Sequence, residues 1–271
     1  MIWRRTILIK VSISIILAYK RYATLIAIIN TGKRGKLMLI LHIDYIDLLE
    51  SPGVKRLSRL TIFENFNQQY AYAFPSDCSP TRAPSSALGQ TLLEVSHSFE
   101  SVSASFMVDA SDFFSSLEFK PSLQWPNLTC LVLTSQLLAP DEDSTSIMEM
   151  LTAAASSVTH MPQLKSMEIW NGRKKLAALF RYELIRDQPS IITWRGTWDL
   201  ILQPSVIQAW EAVTIRRSGY GLELVYDKLA SDDIMSHGDA MHMLKLPELV
   251  IRPISLQQIR TEQSFGWVDN A

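Results

Sequence analysis

The chain has 271 residues, room for one large or two small domains, and its 47% apolar and 20% charged content allows a sizeable core. A net charge of −1 gives no electrostatic reason to expect nucleic acid as a partner. Two cysteines, Cys78 and Cys130, are too few for a disulfide framework and fit a reducing intracellular setting, cytoplasmic or nuclear.

The charge is unevenly placed. Residues 1–36 carry Arg4, Arg5, Lys10, Lys20, Arg21, Lys33, Arg34 and Lys36, and no Asp or Glu. A membrane span is the sharp reading of this basic, aliphatic start. A window over residues 7–29 takes in Lys10, Lys20 and Arg21, which together cost about 8–10 kcal/mol near a helix centre, against about 4–7 kcal/mol returned by its aliphatic side chains. The alternatives are an amphipathic segment lying on a surface or buried, a targeting or anchoring segment touching a membrane, and a spurious start to the coding sequence. Residues 1–50 are therefore set apart from a domain over residues 51–271.

Residues 57–63 alternate and read as a strand. Pro75, Ser76, Asp77, Ser79, Pro80, Pro84, Ser85 and Ser86 mark a loop. Leu88, Leu92, Val95 and Phe99 fall on one helical face, and residues 102–108 read as a strand. Residues 125–133 form the next strand. Asp141, Glu142 and Asp143 then precede a helix over residues 146–161, where Ser146 and Glu149 have capping-box spacing. Ile147, Leu151, Ala154, Val158 and Met161 supply its buried stripe. Residues 161–170 repeat the strand pattern, so strand, helix and strand make a βαβ-type unit. Residues 176–183 fit helix or strand, and a turn at residues 186–189 before a strand at 191–194 favours a hairpin. Pro204 opens a helix with Val206, Trp210 and Val213 on one side and Gly219 as its stop. Residues 221–227 read as a strand, 231–244 as a helix weakened by Gly238, 249–251 as a last strand and 255–258 as the start of a terminal helix.

One apolar spacing recurs: positions 1, 4 and 6 of a strand turn, at Leu57/Leu60/Ile62, Phe99/Val102/Ala104, Leu128/Leu131/Leu133, Leu164/Met167/Ile169 and Leu246/Leu249/Ile251. Such spacing points three side chains into a stacked interior. The predicted fold is thus α/β: an irregular, leucine-rich-repeat-like curved solenoid with a mostly parallel sheet and flanking helices. Positions 5 and 7 then face the concave side. They are Thr61 and Phe63, Ser103 and Ser105, Val132 and Thr134, and Glu168 and Trp170. Two readings of this column stand together. An open aromatic column suits a protein partner, and a column covered by the N-terminal segment or the terminal helix is core.

The phrases at residues 57–67, 125–128, 161–164, 167–172 and 192–198 resemble a large fungal family of uncharacterised proteins. Its members often begin with an F-box and continue into a leucine-rich-repeat-like domain. The similarity covers about residues 50–265. It implies a substrate receptor that meets a Skp-type adaptor through the F-box and its target through the repeats. Residues 1–50 show no Leu-Pro opening of an F-box, so little or no adaptor binding is expected. Residues 42–48 resemble the family's first strand.

Motifs for chemistry are sparse, and none asks for a cofactor. His237 and His242 are five apart rather than four, with Asp239 between them, so a metal-dependent enzyme is a minor alternative. Residues 31–36 lack P-loop spacing, and no Gly-x-Ser-x-Gly elbow occurs. The acidic groups at residues 141–143 and 232–233 read as helix caps. The leading expectation is a non-catalytic protein-interaction module with its partner on the concave face. A membrane-associated protein anchored by residues 1–36 is the alternative.

Overall fold

The computed structural model describes residues 12–16, 24–31, 46–54, 57–66 and 84–264. Among the described residues, nine strands lie in one open sheet in chain order. They are β1 (Ser12–Ile16), β2 (Thr24–Thr31), β3 (Arg59–Phe66), β4 (Ser101–Asp109), β5 (Cys130–Thr134), β6 (Ser166–Arg173), β7 (Leu176–Glu183), β8 (Ser190–Gly196) and β9 (Leu222–Lys228). The run from β2 to β6 is parallel, as is β8 with β9. The β1–β2, β6–β7 and β7–β8 pairs are antiparallel. The protein is therefore α/β with a mostly parallel open sheet. Two strands from the basic N-terminal segment extend that sheet. The other residues of that segment up to 45, and the loop expected near residues 75–83, lie outside the described residues.

Helices α1 (Ser86–Val95), α2 (Ala110–Glu118), α3 (Ser144–Ser157) and α4 (Pro204–Ser218) arise between successive strands. Their placement follows from parallel pairing, which requires a crossover long enough to return the chain to the same edge. The strand alternation decides which face they cover. Leu60/Ile62, Val102/Ala104, Leu131/Leu133 and Met167/Ile169 are register partners across β3 to β6, and all are buried in the larger core with α1–α4. Tyr182/Phe180 and Ile192/Trp194 continue the two rows. Trp125 donates Nε1–H to Ser96 Oγ at 2.8 Å, and Trp210 donates to the Leu151 carbonyl at 3.1 Å, so both large rings are buried without an orphaned N–H.

Local chemistry moves some boundaries. Asp143 is the N-cap of α3, accepting from the Ser146 backbone N–H and hydroxyl, both at 2.9 Å. The helix thus begins two residues before the Ser146–Glu149 capping box expected from sequence, because the carboxylate ahead of it takes the free N–H groups. Gly219 ends α4 at φ 78°, the left-handed cap that a glycine adopts without strain. Residues 176–183 are a strand that forms the expected hairpin with β8. A second hairpin, β6–β7, turns through Lys175 at φ 63°. Residues 46–50 are helical, which corrects the part of the first-strand reading at 42–48 that is described.

The largest correction concerns the fifth triplet. Leu246, Leu249 and Ile251 belong to no strand. They follow helix α5 (His237–Leu244) and precede α6 (Pro253–Ser264), and they pack on the opposite side of the sheet from the other four triplets. Apolar spacing alone does not supply a ladder partner, and β9 pairs with β8 instead. Among the described residues, no helix is long and apolar enough to cross a membrane.

Candidate functional site

The second face of the sheet is built from register. One row runs Thr61, Ser103, Val132, Glu168 and Arg181 across β3 to β7. The next joins Thr134, Trp170, Leu179, Arg195 and Asp227 from β5 to β9, with Phe63 beside Ser105 at its β3–β4 end. All eight residues expected on the concave side thus occupy one face, as strand alternation requires.

That face is not open. Thr61, Phe63, Ser103, Ser105, Val132, Thr134, Glu168 and Trp170 are each 5% exposed or less. Ile234, Ala240, Met241, Leu244, Val250, Ile251 and Ile259 form a second core with Phe63, Val132, Trp170, Ala177 and Leu179. Of the two readings of the aromatic column, the covered one holds, and the cover is α5, the following turn and α6. Leaving Phe63 and Trp170 bare would forgo about 2–3 kcal/mol of burial for each ring, and an apolar stripe from the same chain is within reach.

Three sets of contacts seat the cover. First, α5 approaches β6 at Gly172, where an added Cβ would stand 2.7 Å from Ala240 Cβ. Second, Lys245 caps α5 in the left-handed conformation, φ 54°, and the free carbonyls meet two arginines. Arg181 donates to the Lys245 carbonyl at 3.1 Å and Arg195 to the Leu244 carbonyl at 3.4 Å. Each guanidinium is held in turn by a carboxylate, Arg181 by Glu168 at 2.8 Å and Arg195 by Asp227 at 2.6 Å. Positive charge at the carbonyl end of a helix is favourable. Third, the Thr61 hydroxyl donates to the Leu249 carbonyl at 2.9 Å, and His237 Nε2 lies 2.9 Å from Asn65 Oδ1.

Sequence reasoning did not single out Arg181, Arg195 or Asp227, and it missed Phe106 for a separate reason. Phe106 belongs to the helix-side parity of a straight β4, with Val102 and Ala104. Between Ala104 and Asp109 the register with β5 slips, and Phe106 takes φ 69°. Its ring then lies on the covered face, edge-on to Phe63 at 5.8 Å and to Trp170 at 4.9 Å. Thr134 repairs the broken ladder. Its Oγ1 accepts from the Phe106 N–H at 2.7 Å and donates to the Val108 carbonyl at 3.3 Å. A left-handed phenylalanine costs on the order of 1–3 kcal/mol, which the aromatic cluster and this hydroxyl offset.

Polar atoms are left over beneath the cover. Ser103 Oγ, Ser105 Oγ, Glu168 Oε2 and Trp170 Nε1 are buried with no hydrogen-bond partner among the described residues. Burial pushes the Glu168 carboxyl above the usual carboxylate range; Arg181 pulls it back and Glu183 adds to the rise. Burial likewise pushes the Cys130 thiol up, against a hydrogen bond from Ser166.

The residues of the metal alternative diverge. His237 is buried against Asn65 and the Phe106 ring, Asp239 pairs with Arg260 at 3.0 Å, and His242 is exposed. No group of three or more candidate ligands occurs among the described residues. Asp141 is held by Arg173, whose hydrogen bond lowers its pKa, and Asp232 and Asp233 lie in a 3-10 turn, Ser231–Asp233. On the helical side, a groove of about 610 Å³ between α2, α3 and α4 is lined by Phe114, Leu117, Met148, Thr152 and His160. Glu149 of the expected capping box also lines it.

The fold defines an α/β protein with one mostly parallel open sheet, one face of which is covered by a later segment of its own chain. The chain belongs to a family of unknown function, DUF6546, whose model matches residues 50–252. The matched stretch takes in the sheet from β3 onward and the α5 part of the cover. No curated protein and no solved structure matches the chain.

Proposed function

We propose that this chain is a non-catalytic protein-interaction module, built as an irregular leucine-rich-repeat-like stack, whose recognition surface is the second face of the sheet. One observation carries the reading: that face already binds a peptide segment in cis. Side chains of β3, β7 and β8 grip main-chain carbonyls of the segment through Thr61, Arg181 and Arg195, while Phe63, Phe106 and Trp170 receive its apolar side chains. A surface that holds a helix and a turn in this way has the chemistry to hold the same pattern on another protein. The strand order and the four triplets turned to one side support the repeat description. A substrate receptor of F-box type is the form implied by the family resemblance at residues 57–67 and 161–172, with little or no binding of a Skp-type adaptor.

The test opens the face by altering the cover alone. Ala240→Leu enlarges the side chain facing Gly172 and leaves every residue of the sheet unchanged. A labelled peptide of residues 229–264 in its natural sequence, added to this full-length variant, is expected to bind saturably. Binding is expected to vanish when Trp170→Ala is added. Equal binding to both variants, or none to the first while its sheet stays folded, refutes the reading.

A further inference from the structure

We propose that residues 230–264 form a displaceable, self-inhibitory cover that opens as one unit while the sheet and α1–α4 remain folded. The self-inhibitory role rests on reading the sheet face as the recognition surface; the separable opening does not.

The cover is joined to β9 through a short link. Ile234 is the first residue of the link to be buried in the second core, after the exposed Asp232 and Asp233. The Lys175 N–H donates to the Ile234 carbonyl at 2.7 Å, so the fixed part begins there; Leu229 is still tied to the sheet through the Gly196 carbonyl at 2.8 Å, and residues 230–233 serve as the hinge. Beyond it the segment holds itself together. Gly238 lets α5 and α6 touch, since a Cβ there would stand 2.9 Å from Arg260 Cγ, and Arg260 reaches back to Asp239. An element packed on itself moves as a unit.

The interface beneath it is poorly satisfied. Ser103, Ser105, Glu168 and Trp170 each leave a polar atom without a partner among the described residues, all on β4 and β6. Such atoms regain hydrogen bonds when the cover lifts, which lowers the free energy of the open state relative to an apolar interface of equal area. Thr61, Arg181, Arg195 and the Lys175 N–H all reach backbone carbonyls of the cover, a mode that any helix end and turn satisfies, and His237 with Asn65 adds one side-chain pair. The partner that fits is an amphipathic helix with a small residue where Ala240 meets Gly172. Its terminal carbonyls would take Arg181 and Arg195, and it would displace the cover by competing for the same contacts.

Native-state hydrogen exchange on the full chain tests the device. The amides of α5 and of Val250 are expected to exchange about tenfold or more faster than those of β5 and β6, through one shared opening. Gly172→Ala, which drives a methyl group into Ala240 and raises the free energy of the closed state, is expected to speed exchange in α5 and at Val250 by about tenfold, with β5 and β6 still about tenfold or more slower than the cover. Ala240→Leu attacks the same contact from the other side and is expected to act alike if Gly172→Ala fails to fold. Ser103→Ala with Ser105→Ala removes two orphaned hydroxyls and is expected to slow exchange in the cover. Exchange of α5 and β5 only together, through global unfolding, in the natural chain or in Gly172→Ala, overturns the proposal. Failure of the natural-sequence peptide to bind the Ala240→Leu chain, with exchange as expected, removes the inhibitory role and leaves the separable opening standing.

Discussion

The two faces of the sheet are closed by different means. On one, α1 to α4 emerge between the strands they cover, each tied at both ends to the sheet. On the other, a single segment returns after the last strand and lies across strands laid down far earlier; Thr61 and the Leu249 carbonyl are 188 positions apart. Orphaned hydroxyls occur on the helical side too, at Tyr182 and Thr214, but within a large apolar core. Under the returning segment they gather on β4 and β6 beside a strained Phe106. One face is thus closed by elements that alternate with its own strands, and the other by one contiguous segment, the arrangement that the proposed separate opening requires.

The contrast is sharpest at the large rings. Trp210→Ala, which empties a site between Phe180, Tyr182 and α3, is expected to cost about 3–5 kcal/mol of global stability in denaturant titration. A comparable global loss from Met241→Ala in the cover would erase the distinction between the faces. Next in size, Arg181→Met strands the buried Glu168 carboxylate and is expected to cost about 2–3 kcal/mol. Arg181→Met with Glu168→Met is expected to recover most of that loss, because the desolvation of both charges is removed together; a full double-mutant cycle measures it. Thr134→Val leaves the Phe106 N–H without its acceptor and is expected to cost about 1–2 kcal/mol, with Thr134→Ser close to the natural chain.

The smallest effect is a pH dependence. Because burial raises the Glu168 pKa, the folded chain binds that proton more tightly than the unfolded chain does. Glu168 therefore favours folding below the usual carboxyl range. Its contribution declines as the pH climbs from the unfolded pKa through the raised folded one, and is constant above. Midpoints of denaturation measured across that window are expected to decline less in Glu168→Gln than in the natural chain. Identical slopes would show that the carboxylate is already fully satisfied.

Much of this was legible in sequence. The βαβ unit, the stripe of α3, the stop at Gly219 and the helix-side positions of four triplets all follow from local periodicity, and so does the gathering of Thr61 to Trp170 on one face. Phe106 was not legible, since alternation places it on the wrong side and only a left-handed backbone turns it over. The terminal helix was one of the covers the sequence suggested, but α5 and the turn after it were not legible as part of that cover. Leu246, Leu249 and Ile251 carry the same spacing as the strand triplets, and nothing in that spacing says which side of the sheet receives them.

The sequence by itself determined which side chains keep company, because a strand sends alternate residues to opposite sides whatever else the chain does. Only the tertiary structure decided that Phe63 and Trp170 are hidden. Burial depends on what packs above a residue, and here that is a segment from the far end of the chain, placed by Gly172, two arginines and a threonine that no local pattern connects.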